Sequence, residues 1–391
     1  MAESLLSSIE FQMSLLLFVA LAGYLLASRI NQSAVIGEIL VGILIGPSIL
    51  GLITYTDFVA SVAHLGAVIL LFVVGLEFKL KDIFNLKYSV IAMFGVIVPW
   101  IGGFYIAEAF GYGFGSAVFV GTALTATSIA ITANVLKEMG KLQTDAAKAI
   151  IGAAVIDDVL SLLVLSLSPQ LVSGSLTFMP VLLVILKAVA FLVIGAYVGS
   201  TFLSRMIERL DNSDIAKKFP EFVFIFAMMI AFFYSMIAEL IHLSAIVGSF
   251  LAGVALEGVV IRHGKDYREG AEYLHIIFAS IFFVSLGIIA DFHALTASVI
   301  WFLIALTVVA VITKLVGCYI PAKLQGMSHK DSLIVGWGMS PRGEVAMIVA
   351  LIGLNAGLIG QGIYVSLVLM SLLTTILTPI VLRNFFYRQE S

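Results

Sequence analysis

"AAKAIIGAAVIDDVLSLLVLSL" (residues 146–167) places two adjacent carboxylates, Asp157 and Asp158, inside an apolar run whose only other charge is Lys148, near its edge. A run of about 18 or more apolar residues is long enough to cross the hydrocarbon of a bilayer as a helix. Similar runs recur along the whole 391-residue chain, which is 61% hydrophobic and only 12% charged. So few charges cannot wet the surface of a soluble domain of that length. Lipid admits only helices and closed barrels, because every backbone polar group must be satisfied internally. Barrel strands alternate apolar and polar residues, and these runs do not. The fold class is therefore an all-α, polytopic membrane protein.

The runs divide into about thirteen transmembrane helices, at 11–28, 34–53, 58–76, 88–110, 116–136, 146–169, 177–203, 219–240, 243–261, 271–290, 295–320, 331–353 and 361–382. With the N-terminus outside, every loop reached on the cytoplasmic side carries basic residues: Arg29; Lys79, Lys81 and Lys87; Lys137, Lys141 and Lys148; Arg205, Arg209, Lys217 and Lys218; Arg262, Lys265 and Arg268; Lys323 and Lys330; Arg383 and Arg388. The opposite loops carry no Lys or Arg. Such a bias predicts a multi-pass protein of the cell (inner) membrane with its C-terminus in the cytoplasm. The start, "MAESLLSSIE" (1–10), lacks the basic residues of a cleavable signal, so the first run is expected to remain as a span. The single cysteine, Cys318, has no partner for an intramolecular disulfide.

Two matches suggest an internal repeat. "IGEILVGILIG" (36–46) resembles "VGSFLAGVALE" (247–257) at an offset of 211, and "VGTALTATS" (120–128) lines up with "VGWGMSPRG" (335–343) at an offset of 215. Nearly constant offsets pair spans 1–6 with 8–13, leaving 177–203 as a linker helix. Partners are seven spans apart, an odd shift, so the halves have opposite topology, the inverted-repeat plan of secondary transporters with a midplane site. Both members of the second match weaken a helix. Thr125, Thr127 and Ser128 can bond their own backbone, and Pro341, flanked by Gly338 and Gly343, lacks an N–H. Two crossing discontinuous helices are predicted, unwound near 125–128 and 339–343, with half-helix ends and free carbonyls able to face an ion.

An ionisable group at mid-membrane costs about 2.5–3.5 kcal/mol, so each is a functional candidate. Lys187, Lys314 and Arg342 are the basic residues well inside spans; Glu38, Asp157, Asp158 and Glu344 are among the acidic ones. Successive helical residues point about 100° apart, so the two aspartates cannot share one task. Lys314 is the natural partner for one of them. The other, desolvated and beside a negative charge, can hold a proton or a small cation but not both. Sodium prefers hard oxygen ligands, and Asp158 with hydroxyls or carbonyls of Thr127 and Ser128 can supply them.

"GTALTATSIAITANVLKEMG" (121–140), "IIGAAVIDDVLSLLVL" (150–165), Lys314, "GMSPRGEVAMIVALIGL" (338–354), "IGEILVGILIGPSILGL" (36–52) and "LLFVVGLEF" (70–78) resemble bacterial and archaeal Na+/H+ antiporters of the monovalent cation:proton antiporter-2 family. The resemblance implies a core ion-transport domain (88–169 and 295–382) that slides against a dimerisation domain (11–77 and 219–290), giving elevator-type alternating access. It implies that Asp158 carries Na+ (or Li+) and H+, that Asp157 bridges to Lys314 when the cation is absent, and that an Asp–Asp pair makes exchange electrogenic. Thr125, Thr127 and Ser128 would support the cation at the unwound helices, and Arg342, Glu344 and Glu38 would form a core polar network. Lys187 acquires no role from the resemblance. The implied partners are alkali cation, proton, bilayer and a second copy of the chain, with no nucleic acid and no cofactor.

Competing readings are a K+/H+ antiporter, a cation channel and an intramembrane aspartyl protease. Potassium-efflux relatives often carry Gln–Asp here and a cytoplasmic nucleotide-binding domain. A channel needs no titrating pair, and a protease needs two aspartates on different helices sharing a proton. No GxxxxGK[ST] loop is present for ATP. A secondary transporter rather than an enzyme remains the expectation.

Overall fold

The computed structural model describes residues 8–30, 32–80, 86–174, 178–261, 266–289, 293 and 296–387. Lys81, Arg262, Lys265, His263, Asp291 and Arg388 fall outside them, as does the side chain of Glu344. Every element among the described residues is helical: α1 Ile9–Arg29, α2 Ala34–Ile45, α3 Asp57–Gly75, α4 Leu86–Ala109, α5 Phe114–Thr125, α6 Ile129–Glu138, α7 Asp145–Ser173, α8 Phe178–Val198, α9 Ser204–Asp211, α10 Asp214–Lys218, α11 Glu221–Leu240, α12 Ala245–Leu256, α13 Tyr267–Ile288, α14 Ala297–Leu324, α15 His329–Gly338, α16 Glu344–Asn355 and α17 Gln361–Val381.

Ten helical stretches among these residues are long and apolar enough to cross a membrane. Three of the expected spans carry shorter helices instead. The 34–53 run holds only Ala34–Ile45, because the chain leaves the helix at Gly46 and turns through Pro47. The 243–261 run holds Ala245–Leu256, followed by a turn at Glu257–Gly258. The 331–353 run is split into α15 and α16. A 12-residue helix is about 18 Å long, short of the roughly 30 Å hydrocarbon core. Counting apolar residues merges such helices with the turns that follow them.

Packing divides the chain into two compact units. The first contains residues 1–59, 85–181 and 283–391; the second contains 60–84 and 182–282. Within the first unit Gly42 of α2 meets the Val284 carbonyl and Gly287 of α13 so closely that no Cβ would fit. Within the second unit Gly253 of α12 meets the Phe72 carbonyl and Gly75 of α3 in the same way. The residue that does the meeting shifts by 211 (Gly42 to Gly253), and the residues met shift by 212 (Phe72 to Val284, Gly75 to Gly287). Small residues permit such backbone contact, which is how helices associate where lipid removes the hydrophobic drive.

The helices that frame the site belong to the first unit. Thr144 caps the start of α7, its hydroxyl accepting from Ala147 N–H at 3.3 Å, and Gly174 ends it with φ of 70°. At the outer ends of α6 and α15, the ammonium groups of Lys141 and Lys330 lie 5.7 and 6.0 Å from the centre of the Tyr387 ring. This cation–π pairing holds the two ends together.

Candidate functional site

Two helix interruptions face each other. The first, at 126–128, separates α5 from α6; the second, at 339–343, separates α15 from α16. Local chemistry accounts for both. The Thr125 hydroxyl donates to its own Thr122 carbonyl at 2.7 Å, and Ala126 turns extended with ψ of 142°. Pro341 cannot donate to the second ladder at all. Breaking a helix in apolar surroundings frees backbone groups that must find partners. Here they do. Ser128 N–H donates to the Pro341 carbonyl at 2.8 Å, joining the two breaks directly. Thr132 Oγ1 donates to the Gly338 carbonyl at 2.6 Å, and Thr127 Oγ1 to that of Met339 at 3.4 Å. Thr374 Oγ1 accepts from Arg342 N–H at 3.1 Å, and Thr375 Oγ1 donates to the Arg342 carbonyl at 2.9 Å.

Two buried cations complete the accounting. Lys314 Nζ, fully buried, donates to Asp157 Oδ1 at 2.8 Å, to the Gly95 carbonyl at 2.7 Å and to the Thr125 carbonyl at 2.9 Å. An ammonium has three protons, and each has an acceptor. Arg342, also fully buried, donates from Nη1 to the Ala126 carbonyl at 2.8 Å and from Nη2 to the Ala310 carbonyl at 3.5 Å. Both cations thus cover carbonyls released at the first break. Gly343 leaves room for this meeting, since a Cβ on it would lie 2.6 Å from Ser128 Oγ.

The aspartates diverge as helical geometry requires. Asp157 is fully buried in the pair with Lys314, with the Thr127 hydroxyl beside the same carboxylate, while Asp158 is partly exposed. Thr125 and Ser128 are buried and Thr127 is partly exposed. The Thr125 hydroxyl serves its own helix, so its contribution here is a carbonyl. Ser128 Oγ is buried without a hydrogen-bond partner. Glu38 is buried on α2 with its backbone against Gly23 of α1, and Lys187 lies exposed on α8.

Residue chemistry alone does not reveal the carbonyls of Gly95, Ala126 and Ala310, because any residue offers one. Thr374 and Thr375 did leave a signal: adjacent hydroxyls in the apolar run "SLLTTILTP" (371–379).

The family model for "Sodium/hydrogen exchanger, transmembrane" matches residues 15–386, nearly the whole chain. The chain belongs to this sodium/hydrogen exchanger family. It is a secondary transporter, not an enzyme. The exchanger is 33% identical over 378 residues to the Na+/H+–K+ antiporter GerN of Bacillus cereus, covering 96% of each chain. It is 34% identical over 379 residues to a Na+/H+ antiporter of Enterococcus hirae, covering 95% of this chain and 96% of the other. Among solved structures its fold matches that of the sodium proton antiporter MjNhaP1 from Methanocaldococcus jannaschii, with a TM-score of 0.72, 15% identity and 96% of each chain covered. That match establishes the shared fold. The exchanger is accordingly a multi-pass membrane protein.

Proposed function

We propose that this exchanger moves Na+ or Li+ against H+ across the cell membrane by elevator-type alternating access, and that the exchange is electrogenic. The observation that carries the reading is the asymmetry of the adjacent carboxylates: Asp157 is locked at 2.8 Å to Lys314 while Asp158, next to it on the same helix, is partly exposed. Asp158 is the carrier, alternately protonated and bound to the cation. Asp157 and Lys314 form a releasable ion pair, and a second titrating group is what lets more than one proton return per cation. Thr127 and Ser128 support the cation with oxygen, as does Thr125. Arg342 holds the breaks in register, in a polar network with Glu344 and Glu38.

The finer architecture follows the same reading. We infer about thirteen spans, the shorter helices included, arranged as an inverted repeat of spans 1–6 and 8–13. The Gly42 and Gly253 contacts, repeated at offsets of 211 and 212, support this. Residues 88–169 and 295–382 would be the moving core, 11–77 and 219–290 the dimerisation domain of a homodimer, and 177–203 the linker. This division follows the ion-carrying helices and cuts across the first packing unit. The basic loops support an outside N-terminus and a cytoplasmic C-terminus. The adjacent aspartates support placement in the antiporter-2 branch. A K+/H+ activity is the second reading, favoured by the name of the Bacillus cereus relative.

The test is proton release from acid-loaded proteoliposomes on addition of Na+, Li+ or K+. Na+ and Li+ should elicit release and Asp158→Asn should abolish it; an active Asp158→Asn protein ends this assignment, and a response to K+ alone selects the second reading.

A further inference from the structure

We propose that Ser161, one helical turn beyond the aspartates, supplies a hydroxyl oxygen to the transported alkali cation and sets the preference among Na+, Li+ and K+. The inference rests on the antiport reading above and names a part of its site that the sequence did not suggest.

Three observations converge on this hydroxyl. Ser161 is 3% exposed, and its Oγ is buried without a hydrogen-bond partner. Other serines within helices satisfy theirs by donating to the carbonyl four residues earlier: Ser168 to Val164 at 2.7 Å, Ser235 to Ala231 at 3.0 Å, Ser280 to Ile276 at 2.9 Å, Ser371 to Leu367 at 2.9 Å. That bond is available to any helical serine, and Ser161 does not make it. An unsatisfied hydroxyl away from water is costly, so its persistence calls for an explanation.

The second observation is direction. Residues three and four apart lie on one helical face, which puts Ser161 beside both Asp157 and Asp158. That face of α7 is fixed on either side of Ser161. Asp157 is held by Lys314 at 2.8 Å, and Ser168 Oγ by Thr122 Oγ1 of α5 at 2.6 Å. Ser161 therefore lies along α7 between the ion pair and the contact of Ser168 with Thr122.

The third is company. Asp157 Oδ2 and Ser128 Oγ are also buried without hydrogen-bond partners, although the carbonyls of Thr125, Ala126, Gly338, Met339, Pro341 and Arg342 at the breaks have theirs. Asp157 and Ser161 share one face of α7, Ser128 adjoins the Thr127 that lies against Asp157, and the three oxygens share one chemistry: hard donors suited to an alkali ion. A serine oxygen replaces a hydration water without adding charge, and its short stem fixes how close an ion must come.

The experiment compares Ser161→Ala, Ser161→Cys and Ser161→Thr with the unaltered exchanger in proteoliposomes, measuring apparent KM and Vmax for Na+, Li+ and K+. Loss of one oxygen in Ser161→Ala should raise the Na+ KM about tenfold, with Vmax within about twofold and the rank order of ions changed. Ser161→Thr should restore both. Ser161→Cys, which keeps the volume but substitutes a soft sulfur, should behave like Ser161→Ala and covers the case in which the alanine variant does not fold. Unchanged KM values in Ser161→Ala or Ser161→Cys overturn the proposal. A uniform fall in Vmax with all three KM values intact also overturns it, since the hydroxyl then holds a structural water. Asp158→Asn in the same assay separates the two ideas: exchange that survives there refutes the antiport reading itself, whereas its loss beside an indifferent Ser161→Ala refutes only the role of Ser161.

Discussion

Lys314 is the residue on which the site balances. Its three acceptors come from three different helices, so one ammonium group ties α4, α5 and α7 to α14. Removing one partner of a buried ion pair costs roughly 3–5 kcal/mol, because the other charge is left alone. Lys314→Ala is therefore expected to lower the melting temperature in detergent sharply. Lys314→Ala combined with Asp157→Asn should recover much of that loss, and a double-mutant cycle of thermal unfolding checks it. A cycle with no coupling would mean that the pair does not stabilise the protein. The pairing was legible in the sequence because charges deep in apolar runs are few and need each other. The remaining two acceptors were not, since a carbonyl leaves no mark on residue identity. Ser161 was overlooked for a related reason: a serine in a helix reads as one that bonds its own backbone.

At the scale of helices, each break is stabilised from the opposite strand of backbone. Thr132→Val keeps the shape but strips the donor from the Gly338 carbonyl, now bonded at 2.6 Å. The orphaned group should cost about 1–3 kcal/mol, read as a lower unfolding midpoint with the Na+ KM little changed. Gly343→Val should act differently. Its Cβ would press on Ser128 Oγ at 2.6 Å, forcing the breaks apart, so exchange should be lost while membrane insertion, measured by yield in the membrane fraction, is retained. Full activity in Gly343→Val would mean that the close approach is dispensable. The interruptions themselves were legible: Pro341 and the cluster Thr125, Thr127, Ser128 oppose a helix by known chemistry. The shortness of α2 was not read, because "GPSILGL" (46–52) remains apolar after the helix has ended at Gly46. Hydropathy sees the bilayer, whereas the helix obeys proline.

For the molecule as a whole, the proposed stoichiometry makes a prediction about voltage. If more than one proton enters per Na+ leaving, net positive charge moves inward. An inside-negative potential imposed on Na+-loaded proteoliposomes should then speed Na+ efflux, and an inside-positive one should slow it. Efflux indifferent to potential would indicate one-for-one exchange. The all-helical membrane class was legible from composition alone, and the two units found by packing were not. Segments far apart in sequence, such as 1–59 and 283–391, share one of them, and no local pattern of residues reports such a partnership.

The ion pair joins residues 157 positions apart. Synthesis runs from the N-terminus, so the helix bearing Asp157 reaches the insertion machinery long before Lys314 has been translated. For that interval the nascent chain holds a carboxyl group in a greasy setting with its counter-charge still unmade. Ribosome-bound intermediates ending between the two residues should thus be extracted from the membrane more readily than intermediates long enough to include both, and Asp157→Asn should erase the difference.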